Sequence, residues 1–140
     1  MNLSFNWLFC YLLTMEADQP INWREEAESA ESFGFGCYSF DLEQLMAGDI
    51  GEALAELPPG HGQVLGYRGW ILSTDQYEQL ADGVNRLGYR LLTNPYQYDR
   101  SSRLPEWHPL VADLTPPAIW TETKLQYPSG CRLPLYRPAL

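Results

Sequence analysis

GQVLGYRGWILSTDQYEQLADGVNRLGYRLLTN, residues 62 to 94, reads as one strand-helix-strand unit. The apolar run Val64, Leu65 and Tyr67 has the character of a buried strand and leads into the turn Arg68-Gly69-Trp70. Ser73 is a good N-cap, and Asp75 sits in the first turn, where a carboxylate favours the helix dipole. Tyr77, Leu80, Ala81, Val84 and Leu87 recur at helical spacing, so Thr74 to Leu87 is predicted to be a helix with one inward stripe, stopped by Gly88. A second apolar run, Tyr89 to Leu92, ends at Asn94. About thirty residues is the length that a strand-helix-strand unit requires.

The chain before this unit repeats the alternation. Phe5 to Leu13 is predicted to be a buried first strand: it has no Lys or Arg before it, no small-residue cleavage site after it, and too few residues to span a bilayer. Thr14 to Gln19 reads as a polar loop, with Asp18 as N-cap and Pro20 in the first turn of a helix running from Ile21 to Phe33. Trp23, Ala27 and Ala30 form its inward stripe, Glu25, Glu26, Glu28 and Glu31 a solvated face, and Gly34 its stop. Phe35 to Phe40 is a second strand, and Leu42–Met46 and Glu52–Leu57 are short helical pieces. Beyond the central unit, Asn94-Pro95 opens a short helix through Gln97 and Pro105 to Leu114 makes a helical turn or two. Ala118 to Thr121 is a candidate fifth strand, and residues 122–140 form an irregular Pro-rich tail. Alternation of this kind implies an α/β fold, a small, mainly parallel sheet of four to five strands with helices on its faces, occupying residues 1–121 as a single domain.

The chain has 140 residues, 45% of them hydrophobic, enough for a real core. Its net charge of −9 is lopsided: residues 1–60 hold eleven acidic side chains against Arg24 alone, whereas residues 61–140 hold seven acidic against eight basic. An acidic chain repels phosphate backbones, which argues against nucleic-acid binding. Cys10, Cys37 and Cys131 are odd in number and lack metal-ligand spacing, so neither a disulfide framework nor a zinc site is indicated and a cytoplasmic location is expected. His61 reads as an exposed loop residue without a metal partner at ligand spacing.

No phosphate-loop or dinucleotide fingerprint is present, and two histidines with one lysine provide little for acid-base chemistry. In parallel sheets ligands sit beyond the carboxyl ends of the strands. The candidate site there is Tyr67, Arg68, Gly69, Trp70 and Asn94: a guanidinium able to grip a carboxylate or phosphate, a glycine permitting close backbone approach, and an indole wall. The competing reading pairs Arg68 with a local carboxylate and buries Trp70 in the core. A second, weaker cluster is Arg100, Arg103, Trp107 and His108, for which surface structure is the plainer account.

The segment Tyr67 to Leu72 (YRGWIL), Thr74 to Tyr77, Asn94-Pro95, Leu104 to Leu110 (LPEWHPL) and Thr115 to Trp120 form an ordered string. That string resembles the N-terminal portion of a family of ATP-grasp domain proteins common in phages and bacterial conflict systems. More loosely, Glu25 to Met46 resembles the preceding helix and the strand end, the latter in Phe40-Asp41-Leu42 with Leu45. The resemblance covers roughly the middle two thirds of the chain and implies a pre-ATP-grasp α/β layer, with Arg68 and its neighbours near an acceptor substrate or phosphates. Complete members of the family look like ATP- and Mg-dependent carboxylate-amine ligases. Their lysine-bearing strand and acidic metal ligands have no counterpart here, so catalysis by these 140 residues alone is not expected, no cofactor is expected in this chain, and ATP and Mg would enter only with a separate catalytic lobe. Two functions follow as expectations: the substrate-side part of a split or truncated ligase, or a stand-alone protein-binding or adaptor module. The second implies a protein partner or a homodimer; neither implies nucleic acid or a membrane.

Overall fold

In a computed structural model, residues 5–11 and 23–115 are described. They belong to two compact units, Met1–Arg103 and Leu104–Leu140.

In the first unit four strands form one all-parallel sheet in the order β2-β1-β3-β4: β1 (Phe5–Tyr11), β2 (Gly36–Asp41), β3 (Val64–Arg68) and β4 (Arg90–Leu91). The expected α/β class and parallel sheet are what the molecule has. The candidate fifth strand at 118–121, the polar loop at 14–19 with its Asp18 cap, and the tail lie outside the described residues. The chain steps from β1 to one side for β2, then crosses back to β3 on the other side of β1. The strand order therefore reverses between β1 and β3.

Paired residues in a parallel ladder share a face, and faces alternate along each strand. One face carries Leu8, Cys10, Phe40, Leu65 and Leu91, packed into a single core with α2 (Leu42–Ala47), α3 (Ile50–Ala53) and α4 (Thr74–Arg86). Leu8, Leu65, Leu80 and Val84 are fully buried there; truncating such a leucine typically costs about 2–5 kcal/mol. The inward stripe expected of α4 is the buried one: Tyr77, Leu80, Ala81 and Val84. The opposite face carries Phe5, Trp7 and Phe9 and is met by α1 (Trp23–Ser32), none of whose residues is buried.

Element ends follow local chemistry. Ser73 caps α4 through a reciprocal capping box with Gln76, and Asn94 caps α5 (Pro95–Ser102) through a second one with Gln97. That box, with Pro95 in the first turn, carries α5 well past Gln97, where the sequence reading ended it. Ser101 and Ser102 hydroxyls donate to the carbonyls of Tyr98 and Asp99 along the way. The helix expected at Glu52–Leu57 instead starts at Ile50, because the Asp49 carboxylate accepts the Glu52 N–H at 3.1 Å; Leu54 and Leu57 are buried in the turns that follow.

The second unit begins with α6 (Leu104–Trp107), followed by two short 3-10 turns, His108–Leu110 and Ala112–Leu114. The helical turns expected from Pro105 to Leu114 are present, with Pro109 in the first 3-10 turn, where a missing N–H costs least.

Candidate functional site

The reversal of strand order places the ends of β1 and β3 side by side, and a crevice outside that point is where open parallel sheets bind ligands. Tyr67-Arg68-Gly69-Trp70 leaves β3 there. Gly69 is held tight against its neighbours: a Cβ on it would lie 2.3 Å from Cys10 Sγ and 2.8 Å from the Tyr67 hydroxyl oxygen. The glycine thus serves backbone packing against the end of β1.

Three tyrosines strap the loops at this edge. Tyr67 donates its hydroxyl to the Trp70 carbonyl at 2.5 Å, Tyr77 donates to the Thr93 carbonyl at 2.8 Å, and Tyr98 accepts the Leu72 N–H at 2.8 Å. The rings of Tyr77 and Tyr98 stack with centroids 3.7 Å apart, and Tyr67 meets both edge-on. Burial holds the Tyr67 hydroxyl far above the ordinary phenol range and pushes Tyr77 up to about 12. Burial also pushes the Cys10 thiol up, with hydrogen bonds to Trp70 and Tyr67 only partly offsetting it. A thiol kept protonated is a small hydrophobe rather than a nucleophile. These groups fix loop geometry. Trp70, 38% exposed, is a partly open wall and not core, and Ile71 beside it is 83% exposed.

Arg68 points to the other face of the sheet, in register with Phe9. Its Nε donates to Glu26 Oε2 at 2.8 Å and its Nη2 to Glu26 Oε1 at 3.0 Å, while the guanidinium lies 4.7 Å from the Trp23 ring centroid. The hydrogen bonds from Arg68 hold the Glu26 carboxyl below its usual range. The reading that pairs Arg68 with a carboxylate therefore describes its contacts, and the guanidinium works as a strut between β3 and α1. Trp23 and Glu26, three apart and so on one side of a helix, supply both halves of its seat. The Glu26–Arg68 link spans 42 positions, and neither it nor the Trp23 contact leaves a local signal in the sequence.

Around that strut lies an open cleft of about 440 Å³ between α1 and the sheet. Trp7 and Phe9 form its floor. Phe33, Phe35, Glu25, Glu26 and Arg68 line it as well. Gly66 makes room for the floor: a Cβ there would meet Phe5 at 2.7 Å and Trp7 at 2.9 Å. Glu26, Ser29, Ala30 and Phe33 sit at i, i+3, i+4 and i+7 and turn one face of α1 toward it. The sequence reading missed this cleft: the Glu residues of α1 read as a solvated face, and Phe33 as the helix end.

Asn94, the remaining member of the first candidate site, spends its side chain as the α5 cap, accepting the Gln97 N–H at 2.9 Å. In the weaker cluster, Arg100 donates to the Tyr96 hydroxyl at 2.9 Å and lies over its ring. Arg103 bridges Asp99 and Thr74. Trp107 and His108 belong to the second unit, where His108 Nε2 lies 3.3 Å from Thr115 Oγ1 and Trp107 is 37% exposed. Among the described residues no three His, Cys, Asp or Glu side chains converge as a metal site, and no helix is long and apolar enough to cross a membrane. Comparison with protein-family models, with curated proteins and with solved structures returns no match.

Proposed function

We propose that this chain is a protein-binding module, an α/β adaptor that holds a partner and performs no chemistry alone. The observation that supports it is the α1 cleft: an aromatic surface open to solvent on one face of a sheet whose other face is packed. Parallel sheets ordinarily have both faces covered. Here Phe33 and Phe35, both lining the cleft, are 80% and 40% exposed. Exposed aromatics rimmed by polar groups are the usual marks of a protein interface. The test compares the tagged full chain with a Phe33→Ser variant of equal helicity as baits in the producing cell. A defined partner retained by the parent and lost by the variant is the expected result; identical captures, or capture of nothing by either, would overturn it.

A second reading keeps the resemblance to pre-ATP-grasp domains: the substrate-side part of a split ATP-dependent carboxylate-amine ligase, with ATP and Mg brought by the other half. What favours it is the reversal of strand order between β1 and β3, with Tyr67 to Trp70 leaving β3 at that edge. Arg68 tied to Glu26 weighs against this reading, since an anion would have to displace a bidentate carboxylate. Titration of the isolated chain with Mg-ATP separates the two: no heat is expected of the adaptor, and a tight isotherm would favour the ligase.

A further inference from the structure

Resting on the adaptor reading, we propose that the α1 cleft takes up a basic segment of the partner protein, seating an arginine or lysine side chain against its aromatic walls on the Glu25 side. The charge lining the cleft consists of two carboxylates, Glu25 and Glu26, and one guanidinium, Arg68, a net of −1 once the Arg68–Glu26 pair cancels. Glu25 is the charge left to meet a ligand. Among the rings lining it, Phe33 and Phe35 are exposed and Trp7 is half-buried, and electron-rich ring faces attract cations. The chain makes this kind of contact for itself a few ångströms away, where Arg68 lies over Trp23. At about 440 Å³ and open to solvent, the cleft has room for side chains from a passing segment.

The charge of α1 points the same way. Within α1, Glu25, Glu26, Glu28 and Glu31 stand against Arg24 alone, a local field that draws in cationic partners and repels acidic ones. An acidic or phosphate ligand would meet that field, and it would find Arg68 already claimed.

The experiment uses the full chain and three heptapeptides in calorimetry: acetyl-Leu-Arg-Leu-Pro-Leu-Arg-Leu-amide and its counterparts with Gln or Glu in place of Arg. The Arg peptide should bind at least about tenfold more tightly than the Gln peptide and weaken as salt rises, and the Glu peptide should give no heat. Glu25→Gln should weaken the Arg peptide about threefold or more, and Phe33→Ser should abolish binding while the circular dichroism stays that of the parent. Equal binding of Arg and Gln peptides, lost in Phe33→Ser, would overturn the cation preference and leave the adaptor reading standing. Binding of the Glu peptide, no binding of any peptide, or indifference to Phe33→Ser would overturn the proposal itself. Capture of no partner by the parent chain would overturn the adaptor reading beneath it.

Discussion

Gly69 sits where two strands end and a methyl group has no room. Gly69→Ala should cost about 1–3 kcal/mol, the usual penalty for overpacking, measured by urea denaturation. Because the nearest atom is Cys10 Sγ, adding Cys10→Ala should recover part of that loss; strict additivity in the double-mutant cycle would refute the clash. Tyr77→Phe removes the hydroxyl given to the Thr93 carbonyl and should cost about 1 kcal/mol. The tyrosines also set the response to alkali. Burial pushes both Tyr77 and Tyr89 up to about 12, against about 10 in the unfolded chain. Between those values the unfolded chain has released protons that the folded one keeps, so rising pH favours unfolding. This contribution is complete below pH 10 and is lost on the way through 12. The urea midpoint should fall steadily above pH 10, with phenolate absorbance lagging behind that of the denatured chain.

Each capping box ties a loop of the carboxyl edge to the helix that follows, so caps and straps cooperate. Ser73→Ala and Asn94→Ala should each lower stability by about 0.5–2 kcal/mol, with Asn94→Asp close to the parent; a thermal melt suffices to check this. If Asn94→Ala spared stability and spoiled partner binding, the cap would not be its main duty. Much of this level is legible in the sequence. The strands, α4 with its stripe, and the glycine stops follow from periodicity and short-range chemistry, which act within a few residues. Even the two boxes are written out as Ser73-x-x-Gln76 and Asn94-x-x-Gln97. What the sequence hides are pairings across distance. Arg68 with Glu26 and Trp23, Gly69 with Cys10, and Tyr98 with Leu72 each join separate elements and leave no local pattern, and the α1 cleft around the first of them is hidden for the same reason. The anion grip expected of Arg68 rested on its place at a strand end; which carboxylate reaches it first depends on how α1 lies on the sheet.

The first unit is unevenly secured. Its core lies on the side of α2, α3 and α4, while α1 rests on the other face with no buried residue and an exposed ion pair worth about 0.2–1 kcal/mol. Hydrogen exchange should therefore be graded: amides of Trp23–Ser32 should exchange at least about tenfold faster than those of Val64–Arg68 and Thr74–Arg86. Uniform protection would mean that α1 belongs to the same cooperative block as the core. The sheet order carries a further consequence, for synthesis. β1 lies between β2 and β3, yet it leaves the ribosome before either. Until Val64–Arg68 has been made, the aromatic run Phe5–Tyr11 lacks its neighbour on one side, and such unpaired apolar strands invite aggregation. Slowing translation between Asp41 and Val64 should lengthen that interval and lower soluble yield, whereas slowing it after Leu91, when all four strands exist, should do little.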